Sequence, residues 1–209
     1  MKIFKILIFC IFIILTSCQT SSYSIVSPQR LGVDFTKGRW LLNVIDCPEP
    51  NKNQLTLNAT KFFKKNLKER FFYIKDVDGL LIMPKTKLNP NKIKLKELKD
   101  GTEFDFFINI VVKKNRDDLG TIGLYEDQYP SGKNEAEAVL EIYDLNLQQI
   151  IYSQHVVGSS TSKSNSFALT NQKAGKLSNN ITLHENSGSL MVGSLNKILK
   201  HLKKTSVKN

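Results

Sequence analysis

The sequence is poor in cysteine, proline and glycine, and each shortage excludes a class of protein. Its 209 residues include three Cys, six Pro and 11 Gly. Three Cys are too few for a disulfide-dense scaffold, and so little Gly and Pro excludes a collagen-like or low-complexity chain. Hydrophobic residues make up 41%, which is enough for a sizeable core, so a wholly disordered chain is also excluded. The length predicts one domain, or at most two small ones.

Arginine is also scarce, although the chain is strongly basic. Lys and Arg together number 30 against 19 Asp and Glu, which gives a formal charge of +11, yet only four of the 30 are Arg. The excess is concentrated near the C-terminus, because residues 145–209 carry eight Lys and one Glu, a net +7. The number of Lys, Ile and Asn residues is also typical of an AT-rich genome, so part of this charge follows from composition.

The first 18 residues have the order of a secretory leader. Lys2 and Lys5 form a short positive region, and residues 6–15 are an unbroken apolar run. Small residues then lead to Cys18. A run of ten is too short to cross a bilayer comfortably, since about 20 apolar residues are needed. The pattern therefore predicts a signal peptide over residues 1–17.

The four residues before and at the predicted cleavage site resemble the bacterial lipobox; they are Leu15, Thr16, Ser17 and Cys18. The resemblance implies cleavage before Cys18, a diacylglycerol on its thiol and an acyl chain on its new amine, with no other cofactor. Gln19 follows the Cys where Asp would favour the inner membrane, which by analogy implies the outer membrane. No acidic cluster of the kind used for surface export follows, so the periplasmic face is expected and surface exposure stays open.

Processing would change the charge and the thiol count. Loss of residues 1–17 removes Lys2 and Lys5 and reduces +11 to +9. Because Cys10 leaves with the leader and Cys18 carries lipid, Cys47 would be the one thiol left. No intramolecular disulfide is then possible, and we interpret Cys47 as a small buried hydrophobe.

Periodicity predicts an α+β (α/β) domain with a single mixed β-sheet and packed helices, in the order β-α-β-(α)-β-β-β-α. The predicted domain covers residues 31–204, after a lipidated Cys and flexible tether over 18–30 and before a disordered tail over 205–209. The predicted strands are 39–46, 71–76, 104–112, 135–144 and 149–158. The predicted helices are 53–70, capped by Asn51 or Asn53, then 92–99 and 186–204. Composition predicts a long polar loop over 113–133 and a mobile loop over 159–183.

This order weakly resembles small envelope domains of known families. Residues 104–108 are similar to the strand that follows a short helix in them, residues 141–153 to their hairpin, and residues 190–204 to their closing helix. The families are the lipoprotein activators of penicillin-binding proteins, the curli-secretion lipoprotein and the N-terminal domain of the Tol–Pal propeller protein. The resemblance implies an envelope α/β domain and assigns no functional residue. The long hairpins of a secretion pore are not evident, which argues against a pore.

The sequence carries no recognisable catalytic or metal-binding motif. His184 and Glu185 begin the helical zinc pattern, but Gly188 stands where its second His is needed. No Gly-x-Ser-x-Gly nucleophile elbow occurs, and Ser187, Ser189 and Ser194 fit helix-start and surface positions. We therefore expect no enzyme, no metal and no catalytic residue. An enzyme of unrecognised type would need His155 or His184 to converge with Asp117 in one cleft.

Acidic residues occur in pairs or at strand spacing. Glu135, Glu137 and Glu141 fall on one face of a predicted strand, which predicts a solvated sheet face. The other acids cluster in the predicted 113–133 loop, where a solvated loop is the simplest interpretation and a cation or basic partner the alternative; they are Asp117, Asp118, Glu126 and Asp127.

The last predicted helix supplies a candidate basic interaction face, formed by Lys197, Lys200, Lys203 and Lys204. Anionic lipid, peptidoglycan or an acidic protein would suit such a face, whereas nucleic acid is disfavoured by the exported location and by the lack of Arg and interleaved aromatics. The sequence thus favours a membrane-anchored, non-enzymatic binding or assembly module with an envelope protein or peptidoglycan as partner. The alternative is a lipid or glycan carrier or assembly factor with a pocket near residues 159–183.

Overall fold

The structure is a computed structural model that describes residues 21–26, 33–80, 86–119, 122–124, 132–161 and 181–207. The predicted leader, the lipobox with Cys18, Glu126 and Asp127 lie outside the described residues, as does most of the predicted 159–183 loop. None of the helices in the described ranges is long and apolar enough to cross a membrane.

Eight strands and three α-helices make up the described structure. The strands are β1 Ser22–Ile25, β2 Trp40–Leu42, β3 Phe71–Tyr73, β4 Phe106–Asp117, β5 Ile122–Leu124, β6 Lys133–Asp144, β7 Gln149–Thr161 and β8 Ile181–Leu183. The helices are α1 Glu49–Leu67, α2 Lys92–Thr102 and α3 Ser187–Thr205. Short 3-10 turns at Lys68–Arg70 and Ile74–Asp76 flank β3.

Six strands form one mixed sheet in the order β1-β7-β6-β4-β2-β3. β2 runs parallel to both β3 and β4, whereas the β4–β6, β6–β7 and β1–β7 pairs are antiparallel. β5 and β8 form a separate two-stranded ribbon. The predicted α+β class and the single mixed sheet with packed helices are confirmed. The predicted order of elements also holds, with β1, β5 and β8 added.

The larger core lies between the sheet and the helices α1 and α3. The alternation predicted for β6 places its inward residues, Ala136, Ala138, Leu140 and Ile142, in this core with no exposed surface. Apolar residues at helical spacing on α1 and α3 face them; they are Leu55, Ala59, Phe63, Leu67, Leu190, Met191, Leu195, Ile198, Leu199 and Leu202. Burial of these side chains, at roughly 25 cal/mol per Å² of apolar area, is the main stabilisation of the layer.

A second, smaller core lies on the opposite sheet face. There Leu95 and Leu98 of α2 cover Leu41, Phe107 and Tyr143. Asn91 caps α2 by accepting a hydrogen bond from the backbone N–H of Lys94 at 2.9 Å. Helices thus cover both faces of the sheet.

The long strands run further than the hydrophobic pattern predicted. β4 continues to Asp117 and β6 begins at Lys133, so the two ends of the predicted 113–133 loop are instead paired strand residues, and residues 122–124 form β5. β7 likewise continues to Thr161. The reason is that backbone hydrogen bonding between β4, β6 and β7 continues where the side chains become exposed and polar. Alternation of apolar residues indicates that one face of a strand is buried, but it does not show where the strand stops pairing with its neighbours.

Helix α1 begins earlier than predicted. Its first residue is Glu49 and the residue before it is Pro48, so neither Asn51 nor Asn53 caps it. Pro50 lies in the first turn, where its fixed φ suits the helix and its missing N–H costs no hydrogen bond. Pro48 and Pro50 therefore mark the start of the helix.

Both ends of the predicted domain extend into segments predicted to be unstructured. Residues Ser22–Ile25 of the predicted tether pair with β7 as an edge strand. At the other end, α3 includes Thr205, and the N–H of Val207 donates to the carbonyl of Val33 at 3.0 Å. Within the described residues, 22–25 and 205–207 therefore belong to the folded structure.

Candidate functional site

A polar cleft of about 450 Å³ lies between the N-terminal halves of α1 and α3. Five side chains that line it end in an amide or a carboxylate: Asn51, Gln54, Glu185, Asn186 and Asn196. The remaining lining residues are small or apolar: Gly188, Ser189, Val192 and Gly193. A volume of this size falls in the range of small-molecule sites, about 300–1,000 Å³.

Two contacts show that α1 and α3 run side by side in the same direction. Near their starts, a Cβ built on Gly188 would come 2.9 Å from the Nδ2 atom of Asn51. Two turns further along both helices, Asn58 Nδ2 donates to Asn196 Oδ1 at 3.2 Å. The absence of a side chain at Gly188 lets Asn51 approach the α3 backbone. The cleft therefore extends along both helices from their N-termini.

Glu185 joins the cleft to the edge strand β1. Its carboxylate accepts hydrogen bonds from the hydroxyl of Ser21 and from that of Tyr23, the latter at 3.4 Å. Burial, and then the nearby Glu185 carboxylate, raise the pKa of Tyr23 to about 12. Tyr23 therefore stays protonated and able to donate at any physiological pH.

Asn134, at the start of β6, holds the segment that precedes α3. Its side chain is fully buried and donates to the carbonyl of Glu185 at 3.0 Å. It also exchanges two hydrogen bonds with the backbone of Leu119, each 2.9 Å long. A single side chain thus fixes Glu185 relative to the end of β4, and with it the start of the helix. Asn186 then caps α3 by accepting from the N–H of Ser189 at 2.8 Å.

The lining determines which ligands the cleft suits. Amide side chains both donate and accept hydrogen bonds, so four of them around one space match hydroxyl and acetamido groups. Val192 is the one large apolar residue of the lining, so a lipid chain finds little apolar surface here. The sequence predicted a pocket near residues 159–183, and one lining residue, Glu185, lies just after that segment. Asn51 and Gln54 of α1 join the lining through tertiary packing, which the sequence pattern does not show.

The predicted basic face is exposed, and the structure adds a second row of lysines to it. Lys197, Lys200, Lys203 and Lys204 are exposed on α3, as predicted. On the neighbouring α1 and the turn after it, Lys61, Lys64, Lys65 and Lys68 are exposed too. Both helices end at the same segment, since Arg70 donates to the carbonyl of Phe35 at 2.7 Å and Val207 to that of Val33 at 3.0 Å.

The acids of β6 share one sheet face, as predicted, but Glu141 is not solvated. Glu135 and Glu137 are half-buried, and Glu137 Oε2 lies 3.1 Å from Nε2 of His155 on β7. Glu141 is only 6% exposed. It accepts from the Tyr143 hydroxyl at 2.5 Å and from the N–H of Asn89 at 2.8 Å, because the segment after residue 86 folds over this part of the sheet.

Of the two pairings named as candidates for an enzyme, His155 with Asp117 and His184 with Asp117, the strand register separates the first. His155 pairs with Val139 and Asp117 with Asn134, so the two are five residues, or roughly 17 Å, apart along the sheet. Asp117 instead meets Lys114 at 3.4 Å and Asp118 meets Arg116 at 2.7 Å. No group of three metal-binding side chains occurs within the described ranges.

One predicted serine position differs from the structure. Ser194 was expected on the surface, yet it is fully buried, whereas Ser187 begins α3, as its helix-start position predicted. Ser194 packs against β7, where a Cβ on Gly158 would lie 2.8 Å from its hydroxyl. The α3 face that carries Ser194 is therefore a packing face.

Cys47 is half-buried, less than predicted. Burial raises the pKa of its thiol, partly offset by Lys52. The thiol therefore remains protonated near neutral pH, which is unfavourable for a nucleophile.

Comparison with known proteins finds similarity in structure only. The chain matches no protein-family model and no curated protein, so the resemblance to the three envelope families remains a prediction. Among solved structures, the PelC dodecamer of Paraburkholderia phytofirmans aligns with 90% of this chain and 100% of its own, at 10% identity and a TM-score of 0.46. Lipoprotein GNA1162 of Neisseria meningitidis aligns with 78% of this chain and 99% of its own, at 16% identity and a TM-score of 0.34.

Proposed function

We propose that this protein is a lipid-anchored, non-enzymatic binding module of the cell envelope, held by Cys18 at the periplasmic face of the outer membrane. The lipobox residues of the sequence support the anchor. The observation that carries the proposal is the contact between Ser21 and Glu185, because Ser21 is three residues from Cys18. An extended chain covers at most about 3.6 Å per residue, so Cys18 lies within roughly 11 Å of Ser21. The α1–α3 cleft would then open close to the membrane, where it binds an envelope partner.

Lipid labelling in cells tests the anchor. In Cys18→Ala, incorporation of a labelled fatty acid is expected to disappear and the protein to leave the membrane fraction. Cys47→Ala is the matched control, since it removes a thiol that carries no lipid. Unchanged labelling of Cys18→Ala would contradict the anchor.

Site-specific crosslinking in cells tests the cleft as the binding site. A photoreactive residue at Asn196, on the cleft, is expected to capture a partner. The same photoreactive residue placed at position 93, where Ile93 is exposed on α2, is the control for nonspecific crosslinks. Equal yields of the same crosslinked product from both positions would contradict a role for the cleft.

A second candidate function is that of a glycan carrier or assembly factor, and the chemistry of the cleft favours it. Its amide-rich lining suits a hydroxylated, acetamido-bearing sugar better than a lipid chain. Titration with soluble N-acetylated oligosaccharides, followed by NMR of the side-chain amides of Asn51, Gln54 and Asn196, tests it. Shifts confined to these groups and lost in Gln54→Leu would support a carrier; an unchanged spectrum at millimolar sugar would exclude these sugars as ligands.

A further inference from the structure

The far halves of the neighbouring helices α1 and α3 carry a set of exposed lysines, which we call the lysine surface. It consists of eight exposed lysines, namely Lys61, Lys64, Lys65, Lys68, Lys197, Lys200, Lys203 and Lys204. Glu69 follows on the turn after α1, and Asp34 lies where both helices end; no acid occurs within α3. Across the described residues, none of the eight lysines forms an ion pair.

Charge is distributed unequally along the two helices. In the first half of α1, Lys52 is neutralised by Glu49 at 2.6 Å. The first half of α3 has no charged residue, and Glu185 precedes it. On these two helices the unpaired positive charge begins at Lys61 and Lys197, each ten or more residues after the first residue of its helix, which is about 15 Å along a helix.

This gradient sets the lysine surface apart from the anchored end, an argument that rests on the proposed lipid anchor. Three residues of chain join Cys18 to Ser21, a maximum span of roughly 11 Å, and Ser21 donates to Glu185, just before α3. Lysines that served the anchor's own bilayer would be expected next to the anchor, since charges act over a Debye length of about 8 Å at physiological salt. Among the residues that the structure describes, the anchor end is amide-lined and carries Glu185, and the lysines of the two helices extend up to about 27 Å beyond it.

We propose that the lysine surface binds the anionic polymer of the cell wall, a glycan crosslinked by peptides with free carboxylates. Such a polymer presents many carboxylates without a fixed geometry. Lysine suits it, because its ammonium is a mobile point charge, whereas arginine favours planar, two-pronged contacts. One end of the domain then faces the membrane and the other the wall.

Cosedimentation of the full chain, purified in mild detergent, with isolated cell-wall sacculi tests this proposal. Replacing Lys197, Lys200, Lys203 and Lys204 by Gln is expected to weaken binding at least tenfold and to reduce its salt dependence. The matched control replaces four exposed lysines elsewhere by Gln; they are Lys87, Lys92, Lys96 and Lys113. It removes the same charge and is expected to bind within twofold of the wild type. Thermal unfolding of both variants confirms that they fold.

Two results would overturn the proposal. One is an equal loss of sacculus binding in the test and control variants, which would mean that binding depends only on the net charge of the protein. The other is lysine-dependent flotation of the unlipidated Cys18→Ala chain with phosphatidylglycerol vesicles and no binding to sacculi, which would assign the surface to a membrane. Failure of the anchor is recognised separately by lipid labelling, and lysine-dependent sacculus binding would still support this surface.

Discussion

The phenol of Tyr23 lies directly against the backbone of Gly193. A Cβ built on Gly193 would come 1.9 Å from the Tyr23 hydroxyl oxygen, a separation that no real side chain tolerates. The same ring also lies over Gly158 of β7. The edge strand β1 is therefore held to α3 by an aromatic side chain that fits only because residue 193 lacks one.

This contact predicts that Gly193→Ala has opposite effects in two backgrounds. In the wild type it should destabilise the domain by about 1–3 kcal/mol, because the methyl displaces Tyr23. In a Tyr23→Ala background the clash is gone, and the same change should stabilise by up to about 1 kcal/mol through helix propensity. Urea unfolding of the four proteins measures both effects.

The informative result is that the effect of Gly193→Ala on the free energy of unfolding changes sign between the wild-type and Tyr23→Ala backgrounds. Gly188→Ala is a useful comparison, because its Cβ would meet Asn51 instead of Tyr23 and its effect should not depend on the Tyr23 background. Destabilisation by Gly193→Ala of equal size in both backgrounds would show that Tyr23 does not occupy this position.

A second prediction concerns Asp105, which joins three segments. It accepts from the N–H of Arg39 at 2.9 Å, from Asn146 at 3.1 Å and from Lys99 at 3.3 Å. Burial opposes ionisation, but these hydrogen bonds outweigh it and lower the pKa of the carboxyl below its ordinary value. Asp105→Asn should therefore cost about 1–2 kcal/mol at pH 7.

The pH dependence of that cost follows from the direction of the shift. A carboxyl whose pKa is lower in the folded state stabilises the fold at pH values above its unfolded pKa of about 3.9. That stabilisation is lost as the pH falls through the folded pKa. The difference in unfolding free energy between wild type and Asp105→Asn should be constant from pH 5 to 8 and shrink below about pH 4. A difference independent of pH down to 2 would contradict the role of the charge.

Much of the fold could be predicted because its central elements have strong local patterns. In β6 the inward residues Ala136, Ala138, Leu140 and Ile142 alternate with an outer face that carries Glu135, Glu137 and Glu141, and α3 repeats its apolar residues at helical spacing. β1 has no such pattern. Ser22–Ile25 is a strand because β7 offers a free edge and because Tyr23 packs on α3, and both conditions depend on residues more than 130 positions away.

The candidate site was harder to predict for a similar reason. The lysines of α3 were recognised, but the adjoining lysines of α1 become part of the same surface only because the two helices pack side by side. The cleft combines Asn51 with Asn186 in the same way. Single residues of these types are common on helix surfaces, and only their juxtaposition in the tertiary structure makes them a site.

A third prediction tests Asn134 as the support of the cleft. Asn134→Ala removes three hydrogen bonds and leaves half-buried backbone groups of Leu119 and Glu185 without that partner. The expected cost is about 2–4 kcal/mol, with faster amide exchange in the first turn of α3. Asn115→Ala is the control, since Asn115 is exposed and its contacts with Glu135 and Glu137 are at least 3.3 Å long; about 0.5 kcal/mol or less is expected. Similar losses in both variants would contradict this role.

A fourth prediction concerns the reactivity of Cys47, studied in a Cys10→Ser, Cys18→Ala chain in which it is the one thiol. Because burial raises its pKa, alkylation by iodoacetamide at pH 7.5 should be at least about tenfold slower than in the urea-unfolded chain. Lys52 lowers the pKa of this thiol, so Lys52→Gln should slow the reaction further, whereas Lys96→Gln on the far face should not. If Cys47 reacted as fast folded as unfolded, it would be an accessible nucleophile, and its interpretation as a packing residue would be wrong.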